Sequence, residues 1–563
     1  MPGAAWHRVA RVALVIVITL PVAASLLAVL LPAIGIFPAL GGTSLSLDPA
    51  RQALAIPGLT RAVLLSLGTA LAATALALLG SFAILVMIHG TRAGGWIGRI
   101  CGPIIAVPPS AVAIGILLLL APSGWLMRLA SPWLTGFDRP PSFALVPDPQ
   151  GVALVFALLA KEMPFVLLVS LAALATLPAG RLIRTGQSLG YSHSTSWIYL
   201  VLPLVYRRIR LPLAAVMIFA LSVVDMPRLL GPSLPPPLAV LAVEGFEHAD
   251  LARRFPAAFA ACLQIAVTVL ALMSWRVGEW GVSALLARMR RGGHRARLAG
   301  IILAPIAVLA ILPPLAAIAG LVSAAIWSVA ASWFFPAAWP AALSLKSWAR
   351  IDSLVPALAS SLFIALLASV LAVVAVLLVV PLTRNRARSV LRISIYAPLL
   401  IPQVSFVLGL QMMLTWLWLD GSWLAMIWVH SLFIIPFAWL IIAPADANLD
   451  RRHLTVAASL GAGPAARYLK VALPMLSPAI TTALFVGVAV SVALYLPSLF
   501  AGGGRITTIT LEAVALASGG SWQMAGVATM LQLVIPLVIF LLLRSWQART
   551  YGRFAGMKAG GLQ

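Results

Sequence analysis

The stretch AVLLSLGTALAATALALLGSFAILV, residues 62–86, contains no charged side chain. About 20 apolar residues are enough for a helix to cross the roughly 30 Å of hydrocarbon in a bilayer. Inside lipid the backbone must satisfy its own hydrogen bonds, and an apolar run this continuous lacks the alternation of a barrel strand. The stretch therefore predicts a transmembrane helix.

Similar apolar runs recur along the whole chain. Hydrophobic residues make up 62% of its 563 residues and charged residues only 9%, which is more apolar surface than a water-soluble core could bury. We predict an all-α polytopic membrane protein with about twelve transmembrane helices. They lie near residues 12–34, 61–88, 100–120, 151–177, 211–230, 257–277, 299–331, 357–380, 393–415, 424–444, 477–497 and 523–543.

The distribution of charge predicts the orientation. The net charge is +24, and the arginines cluster in short connections between predicted spans, as at 288–297 and 384–392. Because basic residues concentrate in cytoplasmic loops, we expect a multi-pass plasma-membrane protein with both termini in the cytoplasm. We assign the clusters to the lipid bilayer and expect no nucleic acid partner. The cysteines, Cys101 and Cys262, lie in apolar runs without ligand spacing and predict neither a disulfide nor a metal site.

A self-comparison indicates two copies of one unit. The segment SLGTAL at 66–71 resembles SLFIAL at 361–366, and Pro108 and Gly115 of the third span have counterparts in Pro402 and Gly409. The order is the same in both copies, which is typical of transporters built from parallel repeats. We predict two fused, parallel six-helix halves: residues 1–290, with a core at about 61–277, and residues 291–563, with a core at about 357–543.

A loop after the fourth span of each half repeats with identical spacing. In each copy a Ser-Leu-Gly triplet is followed by nine residues and then by a segment that ends in Leu-Pro. Glycine permits a sharp bend, and proline suits the start of a helix, so each copy predicts two short helices joined at a bend. The residues of this pattern are Ser188, Leu189, Gly190, Leu202 and Pro203 in the first half and Ser459, Leu460, Gly461, Leu473 and Pro474 in the second.

This spacing resembles the loop of fused permeases of type I, binding-protein-dependent ABC importers. The similarity is greatest to the Ynj-type importers, through LSVVD at 221–225, LGP at 230–232, YLP at 495–497 and TLEAVALASGG at 510–520, and is more distant to thiamine and ferric-iron permeases. The resemblance implies that both loops are coupling helices that dock on a dimer of ABC ATPases in the cytoplasm. It also implies that an extracytoplasmic substrate-binding protein delivers the cargo. Both copies depart from the family motif at its acidic start, where this chain has RTG at 184–186 and TVA at 455–457.

The chain itself has no nucleotide-binding loop. None of its four lysines follows a glycine in a GxxxxGK[ST] pattern. We therefore expect no catalytic residue and no cofactor in this chain, with ATP and Mg bound by the partner ATPase.

Charged residues at membrane depth are candidates for the translocation path. Asp225, near the outer end of the fifth span, either lines the path and meets a cationic substrate or pairs with Arg228, three residues further on. Lys161 and Glu162 interrupt the fourth span, and because adjacent residues point about 100° apart on a helix, we favour a role in bridging neighbouring spans.

Two further features lie near the outer end of the second half. Tyr495 is either a residue of the path or an aromatic of the membrane interface. The segment 501–520 has glycines at both ends, contains Arg505 and Glu512, and is either a re-entrant hairpin that contacts the binding protein or a surface loop.

Together these features predict an ATP-driven importer permease that works by alternating access. The alternative is an ion-coupled 6+6 secondary transporter, because residues 90–96 faintly resemble the Gly- and Arg-rich loop of that class, although they lack its Asp. A membrane enzyme would need convergent carboxylates or histidines, whereas Asp138 and Asp148 stand apart. The cargo stays open among thiamine-like cations, iron chelates, small anions and polyamines.

Overall fold

The computed structural model describes residues 20–89, 91, 101–102, 104–143, 145–293, 299–380 and 395–551. The loop at 90–96, except Thr91, most of the basic clusters near 294–298 and 384–392, and the C-terminal tail lie outside the described residues. Twelve helices of the described ranges lie where the sequence predicts spans. They are α1 (Leu20–Ala33), α2 (Leu59–Ile88), α3 (Pro109–Leu120), α4 (Val152–Ala175), α5 (Leu202–Ser222), α6 (Arg254–Arg291), α7 (Ala299–Val329), α8 (Val355–Val379), α9 (Gln403–Trp416), α10 (Trp423–Ala447), α11 (Ser477–Ala493) and α12 (Trp522–Tyr551).

The predicted all-α polytopic fold is confirmed. Within the described ranges eight helices are long and apolar enough to cross a membrane, or nine if α11 is counted with the bent helix before it. Of the other three, α1 adjoins residues outside those ranges, α9 has only 14 residues, and α5 carries three arginines in its first turns. A short antiparallel pair, β1 (Ala330–Ser332) and β2 (Ala342–Leu343), follows α7 and is the one sheet among the described residues.

The two halves have the same internal architecture. A short helix, Leu238–Glu247, follows α5, and a counterpart of equal length, Ile509–Ser518, follows α11. The first N–H of each short helix is buried and donates to a serine of the same half. Leu238 bonds the Oγ of Ser66 at 2.9 Å, and Ile509 bonds the Oγ of Ser361 at 2.8 Å. These equivalent bonds show that the repeat extends to individual contacts.

The halves interlock through their first helices. Helix α7 of the second half packs on α2, α3 and α4 of the first half. At its crossing with α3, a Cβ added to Gly115 would lie 2.8 Å from the carbonyl carbon of Gly320. The equivalent crossing brings Gly409 of α9 against the carbonyl of Ser25 in α1. Small residues let membrane helices approach closely, so these two crossings fix each half against the other.

Local signals explain where several of these elements begin. The carboxylate of Asp148 accepts hydrogen bonds of 2.8 Å from the N–H groups of Val152 and Ala153, which would otherwise be unpaired at the start of α4. Pro109 begins α3, where its missing N–H has no consequence. The α5 and α11 helices begin at the duplicated loops, and we call this end of the bundle the loop end and the opposite end the far end.

Candidate functional site

The duplicated loops have the same structure in both halves. The first loop consists of helix Ala179–Ser188, a bend, helix His193–Ser196 and one π-helical turn, Trp197–Val201, that leads into α5. The second loop consists of Arg452–Ser459, a bend, Pro464–Arg467 and the π-helical turn Tyr468–Ala472. The helix before each bend ends at a serine, Ser188 or Ser459, and every later boundary follows that serine at the same spacing in both loops.

A glycine makes the bend in each loop. Gly190 has φ 81° and Gly461 has φ 83°, a left-handed backbone that other L-residues adopt only with strain. The residue after each glycine closes the helix end by a 6→1 hydrogen bond, since Tyr191 N–H donates to Gly186 at 3.1 Å and Ala462 N–H donates to Ala457 at 3.0 Å. The bend is therefore built by the backbone of the loop itself.

The π-helical turns were not foreseen from the sequence. Each lies directly before a Leu-Pro pair, Leu202-Pro203 or Leu473-Pro474, and proline occupies an early position of the helix that follows. A π-turn widens the helix by one residue and often marks a functional segment. Because both loops contain this π-turn, we infer that the turn between loop and span is a structural feature common to the two halves.

The loops differ in how firmly they are packed. In the first loop Trp197 is buried and lies edge-on to His89, with ring centroids 4.8 Å apart. Burial, and then the nearby charge of His193, lower the pKa of His89. In the second loop neither short helix buries a residue. Both loops nevertheless expose one leucine before the bend, Leu189 at 60% and Leu460 at 81%.

At the far end the fifth and eleventh spans are broken at equivalent positions. Helix α5 ends at Ser222 and the chain resumes as a short helix, Asp225–Leu230. Helix α11 ends at Ala493 and resumes as Leu496–Gly502. The predicted path candidates Asp225 and Tyr495 lie at these two breaks.

Asp225 is buried without a complete set of partners. The residue is only 4% exposed, and its Oδ2 atom has no hydrogen-bond partner among the described residues. Lys161 of α4 lies within electrostatic range of this carboxylate. The ammonium of Lys161 donates to the carbonyls of Ile105 and Val107, at 2.6 and 2.5 Å, and so links α4 to the segment before α3. Glu162, the neighbour of Lys161, is also buried.

Arg228 does not pair with Asp225, so that alternative is wrong. Its guanidinium instead donates to the hydroxyl of Tyr495 at 2.8 Å and forms an ion pair with Glu247. Tyr495 is buried, with Asp225 in electrostatic range, and so does not lie at the lipid interface. The structure therefore brings Asp225, Lys161 and Tyr495 into one region where the halves meet.

This region is charged on one side only. The two halves align through the prolines within their fourth spans, Pro164 and Pro436, and through their duplicated loops. In this alignment four charged residues of the first half correspond to apolar residues of the second half. The counterparts of Lys161, Glu162, Asp225 and Arg228 are Phe433, Ile434, Leu496 and Leu499.

A buried histidine was missed by sequence reasoning. His430 of α10 bonds the Oγ of Ser491 through Nδ1 at 2.7 Å and the Oγ of Ser498 through Nε2 at 3.1 Å. Ser491 lies before the break in the eleventh span and Ser498 lies after it, so His430 connects both sides of the break. The only sequence feature that could have indicated this contact was a histidine within an apolar run.

The far-end segment with Arg505 and Glu512 forms two helices joined by a tight turn. Gly503 and Gly504 have positive φ, between helices Leu496–Gly502 and Ile509–Ser518. The side chain of Arg505 lies against Gly421, and Glu512 is in the first turn of the second helix. Within the described part of the chain no three His, Cys, Asp or Glu side chains converge as metal ligands.

Comparison with known proteins agrees with these features. Residues 382–553 match the family described as binding-protein-dependent transport system inner membrane component. The chain is 31% identical over 507 residues to the inner membrane ABC transporter permease protein YnjC of Escherichia coli (strain K12), which covers 89% of this chain and 90% of that protein.

Proposed function

The chain belongs to the family of inner-membrane ABC transporter permeases, and we propose that it is the permease of an importer that receives its cargo from an extracytoplasmic binding protein. The observation that carries this proposal is the duplicated loop. Two copies with the same bend, the same π-turn and the same exposed leucine fit two equivalent subunits of a dimeric ATPase.

The loops are suited to docking. Leu189 and Leu460 each present an apolar side chain to solvent beside a rigid bend, which is how an anchor of a protein interface is displayed. The acidic start of the family motif is replaced by Arg184 and Thr455, so we expect the contact to rest on packing more than on an acidic charge. ATP and Mg would be bound by the partner ATPase.

The interlocked halves suggest how docking is converted into transport. Each loop continues through its π-turn into a span, α5 or α11, that runs to a break at the far end. When the ATPase closes, the loops approach each other, and rotation of one half against the other would separate the breaks. This is alternating access by rigid-body movement of packed units.

The region around the breaks is the proposed translocation path. Asp225, Lys161, Glu162 and Tyr495 are its polar residues, and Asp225 has an oxygen free to accept from a cargo. The hairpin with Arg505 and Glu512 lies at the same end and would contact the binding protein. In the proposed orientation the loop end and both termini lie in the cytoplasm.

Reconstitution of the chain in proteoliposomes tests the proposal. We expect uptake that requires a partner ATPase, ATP and the binding protein. An ion-coupled secondary transporter would instead take up cargo in response to an ion gradient with no ATPase present, and that result would overturn the proposal.

A further inference from the structure

We propose that the chain binds an anionic phospholipid in a groove between α5 and α6, at the loop end of the first half. The groove has a volume of about 490 Å³. Its lining residues are Arg210, Met273, Arg276, Val277, Glu279, Trp280 and Ser283. The site follows from the membrane location of the chain and does not depend on the direction of transport or on the ATPase.

The groove carries an excess of positive charge. Glu279 is mostly buried and forms ion pairs with both arginines, at 3.3 Å from Arg210 and at a short distance from Arg276, which also donates a hydrogen bond to it. It also accepts from the hydroxyl of Tyr206. Two guanidinium groups therefore share one carboxylate, which leaves one positive charge in the groove.

Both guanidinium groups have donors left for a ligand. The side chain of Arg210 is 45% exposed and that of Arg276 is 67% exposed. A guanidinium has five N–H donors in a planar fork that matches phosphate oxygens, and the single carboxylate occupies only part of this set. Glu279 therefore holds the two guanidinium groups side by side and leaves N–H donors on both of them available to a ligand.

The position of the groove along the membrane normal fits a headgroup. Helix α6 rises about 1.5 Å per residue, so that about 20 residues after Ala257 it has crossed roughly 30 Å of hydrocarbon. It leaves the hydrocarbon near Arg276. Arg210 lies in the early turns of α5, at the same end of the bundle.

The apolar residues of the groove select a lipid over a free anion. Met273 is exposed one helical turn before Arg276, on its hydrocarbon side, and Val277 is exposed next to Arg276 at the membrane boundary. Trp280 is exposed one turn further, where tryptophan prefers the membrane interface. A phosphate between the arginines would place its acyl chains along Met273, toward the hydrocarbon.

The second half lacks this site. When the halves are aligned through their duplicated loops, Arg210, Arg276 and Glu279 correspond to Thr481, Gln547 and Thr550. Thr481 and Gln547 contact each other at 3.3 Å, so the packing of the two helices is preserved while the charges are absent. The neutral pair Thr481 and Gln547 joins α11 and α12 without charge, and it supplies a matched control for the charged site of the first half.

Native mass spectrometry of the purified chain, titrated with dioleoylphosphatidylglycerol or dioleoylphosphatidylcholine, tests the site. We expect the wild type to prefer phosphatidylglycerol. The variant Arg210→Gln with Arg276→Gln should bind phosphatidylglycerol about 30-fold more weakly, the factor expected for the loss of two arginine charges beside an anionic lipid, with unchanged binding of phosphatidylcholine. Glu279→Gln, which removes the competing carboxylate, should bind phosphatidylglycerol more tightly.

Two control variants separate the groove from general surface charge. Thr481→Ala with Gln547→Ala should bind as the wild type does. Arg288→Gln with Arg291→Gln removes the same charge beyond the groove and should retain the preference. The proposal is wrong if this second control loses as much affinity as the groove variant, if the groove variant keeps full affinity, or if inorganic phosphate displaces the lipid.

Discussion

The guanidinium of Arg228 donates a 2.8 Å hydrogen bond to the hydroxyl of Tyr495, and this bond joins the two halves of the chain at the far end of the bundle. Tyr495 lies in the break of its own span, and Arg228 lies in the short helix that follows the other break. Hydrogen bonds to charged groups contribute about 1.5 to 3 kcal/mol. Any movement that separates the breaks must first disrupt this contact, so its state reports whether the far end is closed.

Chemical cross-linking should detect that state. We expect the variant Arg228→Cys with Tyr495→Cys, made in a Cys101→Ala, Cys262→Ala background, to be joined by a bifunctional thiol reagent. A protease site inserted after Gly293 allows the halves to be separated on a denaturing gel. With the partner ATPase bound, ATP should lower the cross-linked fraction because the far end opens.

Each single-cysteine variant provides the control, since neither can join the halves. An equal cross-linked fraction with and without ATP, while hydrolysis proceeds, would show that the far end does not open at these residues.

The bend in the second loop should tolerate only glycine. Gly461 and Gly463 both have open space around an added Cβ, but Gly461 has φ 83° and Gly463 has φ −68°. Gly461→Ser should therefore strain the loop by about 1 kcal/mol or more and reduce transport-coupled ATP hydrolysis. Gly463→Ser introduces the residue found at the equivalent position, Ser192, and should leave hydrolysis unchanged.

Both variants introduce a serine, at positions only two residues apart. A difference in ATP hydrolysis between them therefore reflects the backbone conformation and not the new side chain. Equal coupling in the two variants, with normal binding of the ATPase, would remove the bend from the mechanism.

The serines beneath the short far-end helices should be equally important for stability. Ser66→Ala and Ser361→Ala each leave a buried backbone N–H without its partner, at Leu238 or Ile509, which costs about 1 to 3 kcal/mol. We expect both variants to lower the melting temperature, measured with a dye that reacts with Cys101 and Cys262 on unfolding. Ser360→Ala, whose hydroxyl bonds only within its own helix, should change it little.

If only one of the two serine variants lowered the melting temperature, the two halves would not be equivalent at this contact.

Apolar run lengths predicted the positions of the twelve helices, because hydrocarbon thickness fixes how many residues a span needs. The spacing around Gly190 and Gly461 predicted the bends, because a left-handed residue after a helix is a local requirement. Neither inference needs knowledge of distant contacts.

The contacts between distant segments could not be predicted in this way. Arg228 and Asp225 lie three residues apart in one short helix, yet Arg228 bonds Tyr495 and Glu247, which only the fold brings within its reach. His430 bonds two serines that only the fold brings together. The amino-acid composition of the π-turns before Pro203 and Pro474 does not distinguish them from α-helical turns, so the sequence did not predict them.

Asp225 provides the last prediction, because its two possible roles have opposite effects on stability. A buried carboxylate oxygen without a partner is costly, so Asp225→Asn, which keeps the shape and removes the charge, should leave the melting temperature unchanged or raise it. If the carboxylate accepts from the cargo, the same variant should lower uptake at limiting cargo by about 10-fold or more. Asp352→Asn, at an exposed position of the same end, is the control for both measurements. If Asp225→Asn lowers the melting temperature and leaves uptake unchanged, the carboxylate serves only to balance the charge of Lys161, and Asp225 does not belong to the path.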